Sequence, residues 1–172
     1  NTQLKQGIDF GVIPGTDKPT MLKPGAEKVL QMFGCAVVLE VVKEQDPNTG
    51  YLNIEVTAKA VSITTGVVVG MGVGSCSSWE SKYRYRWEWW NSKGQPPADQ
   101  GWESTKSGKQ RRRIENRDLI DQWNTVLKMA KKRAIVDLAL TISGASEKFT
   151  QDVEDFTEAA SAAQPEPEQM AA

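Results

Sequence analysis

The chain has 172 residues, with 21 Lys and Arg against 22 Asp and Glu, and no histidine. That length suits one domain able to bury a core without covalent staples. Lack of histidine excludes histidine-based triads, imidazole acid–base catalysis and His metal sites, and two cysteines are too few for a disulfide framework or a Cys-built zinc site.

Cys35 and Cys76 lie in apolar, strand-like surroundings and are expected to be buried thiols. No apolar run approaches the roughly 20 residues of a membrane span, and no signal-peptide pattern opens the chain, so a cytoplasmic location is the default expectation. The carboxylates form no obvious catalytic or metal pair; neither enzyme activity, cofactor nor metal is expected. The net charge of −1 hides a polarity. From Glu147 onward seven acids face one base, giving −6, and residues 1–146 carry 20 − 15 = +5. A domain over 1–152 is therefore expected, followed by an acidic, disordered tail over 153–172.

Residues 1–20 read as an extended lead-in with turns. Pro24 opens a short helix with Ala26, Val29, Leu30 and Phe33 as its apolar stripe, and Gly34 stops it. Cys35–Lys43 is a Val- and Leu-rich strand, and Glu44–Gly50 a turn. In Tyr51–Ile63, alternation puts Leu52, Ile54, Val56, Ala58 and Ala60 on one strand face. A turn at Thr64–Gly66 leads to a strand over Val67–Val73, completing an antiparallel meander. Gly70-Met-Gly-Val-Gly74 lies late in that strand with no helix directly after it, and reads as a twisted or bulged strand rather than a phosphate loop.

All six tryptophans, and fourteen of the 21 Lys and Arg, fall between Trp79 and Arg133. Cations neutralise phosphates and flat rings stack on unpaired bases, so this third of the chain is a candidate for single-strand nucleic-acid binding. Tryptophan is equally a large core anchor, so each ring has two readings. Ser81–Trp90 is predicted as a strand, with Tyr83, Tyr85, Trp87 and Trp89 on one face and Lys82, Arg84, Arg86 and Glu88 on the other. Residues 91–110 read as a long loop running into the basic Lys109–Arg113. Asp118 can cap a final helix of about 25 residues ending at Gly144. Its core stripe is Leu119, Trp123, Val126, Leu127, Ala130, Ala134 and Leu138, which makes Trp123 structural. Lys128, Lys131 and Lys132 share one helix sector, with Arg133 beyond them.

Three pieces in order carry a resemblance: Gly15–Gly34 through Met-Phe-Gly, the meander closing on Gly70–Ser78, and Lys128-Met-Ala-Lys-Lys-Arg-Ala134. The chain resembles, over about residues 12–152, the single-strand annealing domain of the Rad-fifty-two superfamily, particularly its phage members. The resemblance implies an α+β fold: a short helix, a small antiparallel meander of three to four strands, and a long C-terminal helix packed on it. It further implies a homo-oligomeric ring or filament that binds single-stranded DNA along a basic groove and pairs complementary strands without ATP, in recombination and repair. By that resemblance Lys132 and Arg133 hold the DNA backbone, with Lys28 a further match on the first helix.

The full set of expected DNA contacts is Lys128, Lys131, Lys132, Arg133, Arg111, Arg112, Arg113, Lys28, Arg84 and Arg86. The Trp- and base-rich stretch over about 79–113 is an insertion relative to the family. Expected partners are single-stranded DNA, further copies of the chain, and a phage exonuclease or host single-strand-binding protein. Two other readings stand beside this one: a passive single-strand-binding module that protects without pairing, and a phage structural protein whose aromatics are all core.

Overall fold

A computed structural model describes residues 3–12, 18–91, 93–98, 100–116 and 122–150. The predicted helix cap at Asp118, the stripe residue Leu119 and the acidic tail lie outside them. The fold is α+β: an antiparallel meander, a long helix near the C-terminus and a short helix before the sheet. The described residues fall into two compact units. One lies within Asn1–Val41, Glu55–Ser75 and Ala130–Ala172, the other within Val42–Ile54 and Cys76–Met129.

In the first unit, β1 (Phe10–Gly11) pairs antiparallel with β2 (Thr20–Met21). Helix α1 (Lys23–Met32) follows, with proline in its first turn, where the missing N–H costs nothing. It buries Gly25, Ala26, Val29 and Leu30 and ends at Gly34, whose φ of +64° is the left-handed geometry glycine adopts without strain. Phe33, expected in the apolar stripe, is instead exposed, because it sits past the last helical turn.

The meander consists of β3 (Cys35–Asp46), β4 (Tyr51–Ser62) and β5 (Val68–Ser77), with β4 central. Every even-numbered residue of β4 from Leu52 to Ala60 is buried, as the alternation predicts. Helix α3 (Trp123–Ser143) buries Val126, Ala130, Ala134 and Leu138, and Gly144 follows it at φ +63°. Cys35 and Cys76 are buried and form no disulfide.

Within the first unit the glycine run is what lets α3 approach. A Cβ on Gly72 would lie 2.3 Å from the Leu138 backbone nitrogen, and one on Gly74 2.3 Å from that of Ala134. A Cβ on Gly70 would meet the Ile142 side chain at 2.9 Å. The run is thus a seat for the helix, whose backbone at Ala130, Ala134 and Leu138 comes against it. After the helix, Thr150 returns to β2: its N–H donates to Pro19 O (2.9 Å), its carbonyl accepts from Met21 N (3.1 Å), and Phe149 packs edge-on against Phe10 (5.6 Å).

The second unit carries a sheet that the sequence does not announce. Ser81–Arg84 is one helical turn, α2, rather than the start of the predicted strand, so Tyr83 leaves the aromatic row. Strand β6 is Tyr85–Trp89, β7 is Glu103–Ser104 within the predicted loop, and β8 is Gln110–Glu115. They order as β6-β8-β7, antiparallel throughout. Buried Asn116 fastens the sheet to α2: its N–H donates to Arg84 O (2.8 Å) and its Nδ2 to Tyr83 O (3.2 Å). Ser78, also buried, accepts from Leu52 N (3.0 Å) and donates to Gly50 O (3.2 Å).

Candidate nucleic-acid interface

Helical spacing sorts the cations of α3 by position. Lys128 and Lys132 lie opposite the stripe of Val126, Ala130, Ala134 and Leu138, and Lys131 and Arg133 flank it on either side. Lys128 is exposed and the other three are half-buried, and one turn on the buried Ile135 and Ala139 occupy the sector of the lysines. Lys128 and Lys131 have no ion-pair partner among the described residues. Arg133 sits at the border of the buried stripe, and there its Nη1 donates to Ser75 O at 2.6 Å. One turn on, Asp137 Oδ2 accepts from Val73 N at 2.8 Å. β5 is an edge strand, and these two side chains occupy backbone groups that it would otherwise offer to another strand. Arg133, expected on DNA, is at least partly a structural tie.

Lys28 is likewise drawn into the fold. Its Nζ lies 2.7 Å from Oδ2 of Asp9, whose side chain is fully buried, and the Lys5 N–H donates to the same oxygen at 2.8 Å. The ammonium of Lys28, then the Lys5 N–H, hold the Asp9 carboxyl below its ordinary pKa. Its proximity to a buried carboxylate, not to the α3 lysines, sets where Lys28 points its charge.

The remaining expected contacts gather on the β6-β8-β7 sheet. Arg111 pairs with Glu103 (2.6 Å), Arg112 with Glu88 (2.5 Å) and Arg84 with Glu115 (3.4 Å). Direct cross-strand register places Tyr85 opposite Glu115, Trp87 opposite Arg113 and Trp89 opposite Arg111, so these six share one face. On it the Arg111 guanidinium lies 3.8 Å from the Trp87 ring centre and that of Arg113 4.4 Å from Tyr85. Arg86, Glu88 and Arg112 take the other face, where Arg112 lies over Trp102 (4.8 Å) and Trp102 meets Trp90 edge-on (5.2 Å).

The six tryptophans therefore divide. Trp90 and Trp102 form a small half-buried cluster, and Trp79 packs against Tyr51 (5.0 Å) with Arg84 over it (4.9 Å). Trp123, expected in the core, opens α3 with 37% of its surface exposed and Lys43 over its ring at 4.6 Å. Trp87 and Trp89 are 44% and 45% exposed.

What the sequence reading missed were the carboxylate partners Glu88, Glu103 and Glu115. Their signal was present as oppositely charged residues on neighbouring strands, but only the register reveals which pairs meet. Among the described residues no group of three or more His, Cys, Asp or Glu could hold a metal ion, and no helix is long and apolar enough to cross a membrane. In comparisons with family models, curated proteins and solved structures, none matches this chain.

Proposed function

We propose that this chain is a phage-type single-strand annealing protein, which binds single-stranded DNA on the basic sector of α3 and pairs complementary strands without ATP. The observation that carries the reading is the lysine sector itself. Lys128, Lys131 and Lys132 fall within about 100° of one another on the first half of a long helix that buries Val126, Ala130 and Ala134. Such a sector neutralises phosphates without a scaffold for reading base edges, which is what annealing of arbitrary sequence demands. The resemblance of the Lys128–Ala134 segment to the Rad-fifty-two superfamily supports Lys132, together with Arg133, in that role. Self-association belongs to the proposal. Val69, Met71 and Val73, exposed at alternate positions of β5, provide apolar surface for it. A phage exonuclease or a host single-strand-binding protein is the proposed kind of partner.

The test is Lys128→Ala/Lys131→Ala in an annealing assay with complementary labelled oligonucleotides and no ATP. Three lysines each neutralising one phosphate give a slope of log affinity on log salt of about −2 per subunit, and the double variant about −0.7. Slower annealing with the shallower slope is the expected outcome. Wild-type annealing rate and slope in the variant would sink the assignment. One observation favours the alternative of a passive single-strand-binding module: exposed rings that hold bases retard pairing. Tight binding with no acceleration of annealing would establish that reading.

A further inference from the structure

The face of the β6-β8-β7 sheet that carries Tyr85, Trp87 and Trp89 is chemically unlike the α3 sector. Alternate residues of β6, Tyr85, Trp87 and Trp89, keep 36%, 44% and 45% of their surfaces exposed. A pair two residues apart on a strand is separated by about 6.8 Å, so the three rings form a row with regular spacing. Burying three large rings would be the ordinary use of them, whereas here they stay exposed and only Trp90 and Trp102 pack together, half-buried. Two guanidiniums from β8 interleave with the row, Arg111 against Trp87 and Arg113 against Tyr85. Trp89 has no cation over it among the described residues.

We propose that this face is a stacking platform for single-stranded nucleic acid, with bases on Trp89, Trp87 and Tyr85 and phosphates on Arg111 and Arg113. The occupant follows from charge and shape together. Residues 79–116 hold nine Lys and Arg against five acids, 9 − 5 = +4, which suits a polyanion. Flat rings and guanidinium planes side by side accept the π-faces of unpaired bases, which a duplex keeps hidden. A purely acidic protein partner would use the cations and leave the rings idle. Glu103 on the same face pairs with Arg111 through one Nε–Oε1 contact, so a phosphate displaces or shares that pair. The platform goes beyond the annealing reading and does not depend on α3.

The experiment compares binding of the full chain to a dT oligonucleotide, an rU oligonucleotide and an abasic phosphodiester of equal length. Trp87→Ala/Trp89→Ala and Trp87→Phe/Trp89→Phe are measured beside Lys128→Ala/Lys131→Ala. Each stacked base lost costs roughly 5- to 100-fold in affinity. Wild type should therefore prefer the base-bearing strands over the abasic one by at least about 5-fold. The alanine variant should lose that preference while keeping its abasic affinity, and the phenylalanine variant should keep most of it. Whichever of dT and rU binds tighter assigns the platform to DNA or RNA. The lysine variant should weaken all three ligands and leave the preference intact. If it binds everything like wild type while the alanine variant loses the preference, the annealing assignment falls and the platform stands. Equal wild-type binding to abasic and base-bearing strands would overturn the platform, as would an alanine variant that retains the preference.

Discussion

At the level of single residues, the glycines of β5 are the positions where the sequence leaves least room for change. Gly72→Ala and Gly74→Ala each drive a methyl into the backbone of α3, which cannot swing aside, so each should cost more than about 3 kcal/mol by urea unfolding. Gly70→Ala meets the flexible end of Ile142 and should cost roughly 1 kcal/mol. Equal, small losses at all three would mean that the helix is not seated on the strand. The sequence shows the period-two glycines plainly, but not their reason. A bulge and a helix seat look alike until Ala130 and Ala134 are known to face them. Asp9 supplies a pH test. Its carboxyl titrates below the ordinary value near 4, so its contribution is complete at neutral pH and is lost as pH falls through the depressed folded value. Wild type should therefore lose more stability than Asp9→Asn between pH 5 and strong acid, roughly the window where carboxylates protonate. Parallel acid-unfolding curves would show that the Lys28 pair contributes nothing.

Among the elements, α3 packs against the fold and is proposed to hold DNA, and substitutions should separate the two. Arg133→Ala removes a charged hydrogen bond to the β5 edge and should cost about 1.5–3 kcal/mol of stability without DNA present. Lys128→Ala and Lys131→Ala should each stay within about 0.5 kcal/mol of wild type in the same thermal melt. A neutral Arg133→Ala that still weakens DNA binding would return Arg133 to the phosphate-holding set. Strand β4 was legible residue by residue, because one buried face against one wet face imposes strict alternation. Strand β8 was not. Gln110–Glu115 puts cations on both faces, and its stability comes from cross-strand carboxylates and rings that no local pattern displays. Ser81–Arg84 misled for a related reason: Tyr and Arg alternate as a strand would, while the backbone closes one turn with Tyr83 and Arg84 N–H on Glu80 O (2.8 and 2.9 Å).

For the whole molecule, the class of fold followed from the order of helix, meander and helix, while the division into two compact units did not. The units cut through strands and α3, and no composition shift marks a break inside a continuous element. Charge acts at this scale too. Residues from Glu147 onward carry −6 against +5 for the remainder, so removing 157–172 should tighten binding to single-stranded DNA at low salt and have little effect at high salt. Unchanged affinity at low salt would show that the acidic segment does not compete with nucleic acid. The most direct measurement is the rate at which complementary oligonucleotides, coated with the full chain, become duplex in the absence of ATP. Pairing well above the spontaneous rate, declining as salt rises and declining further in Lys128→Ala/Lys131→Ala, is expected of an annealing protein. Strands that are bound tightly yet pair no faster than naked ones would contradict it.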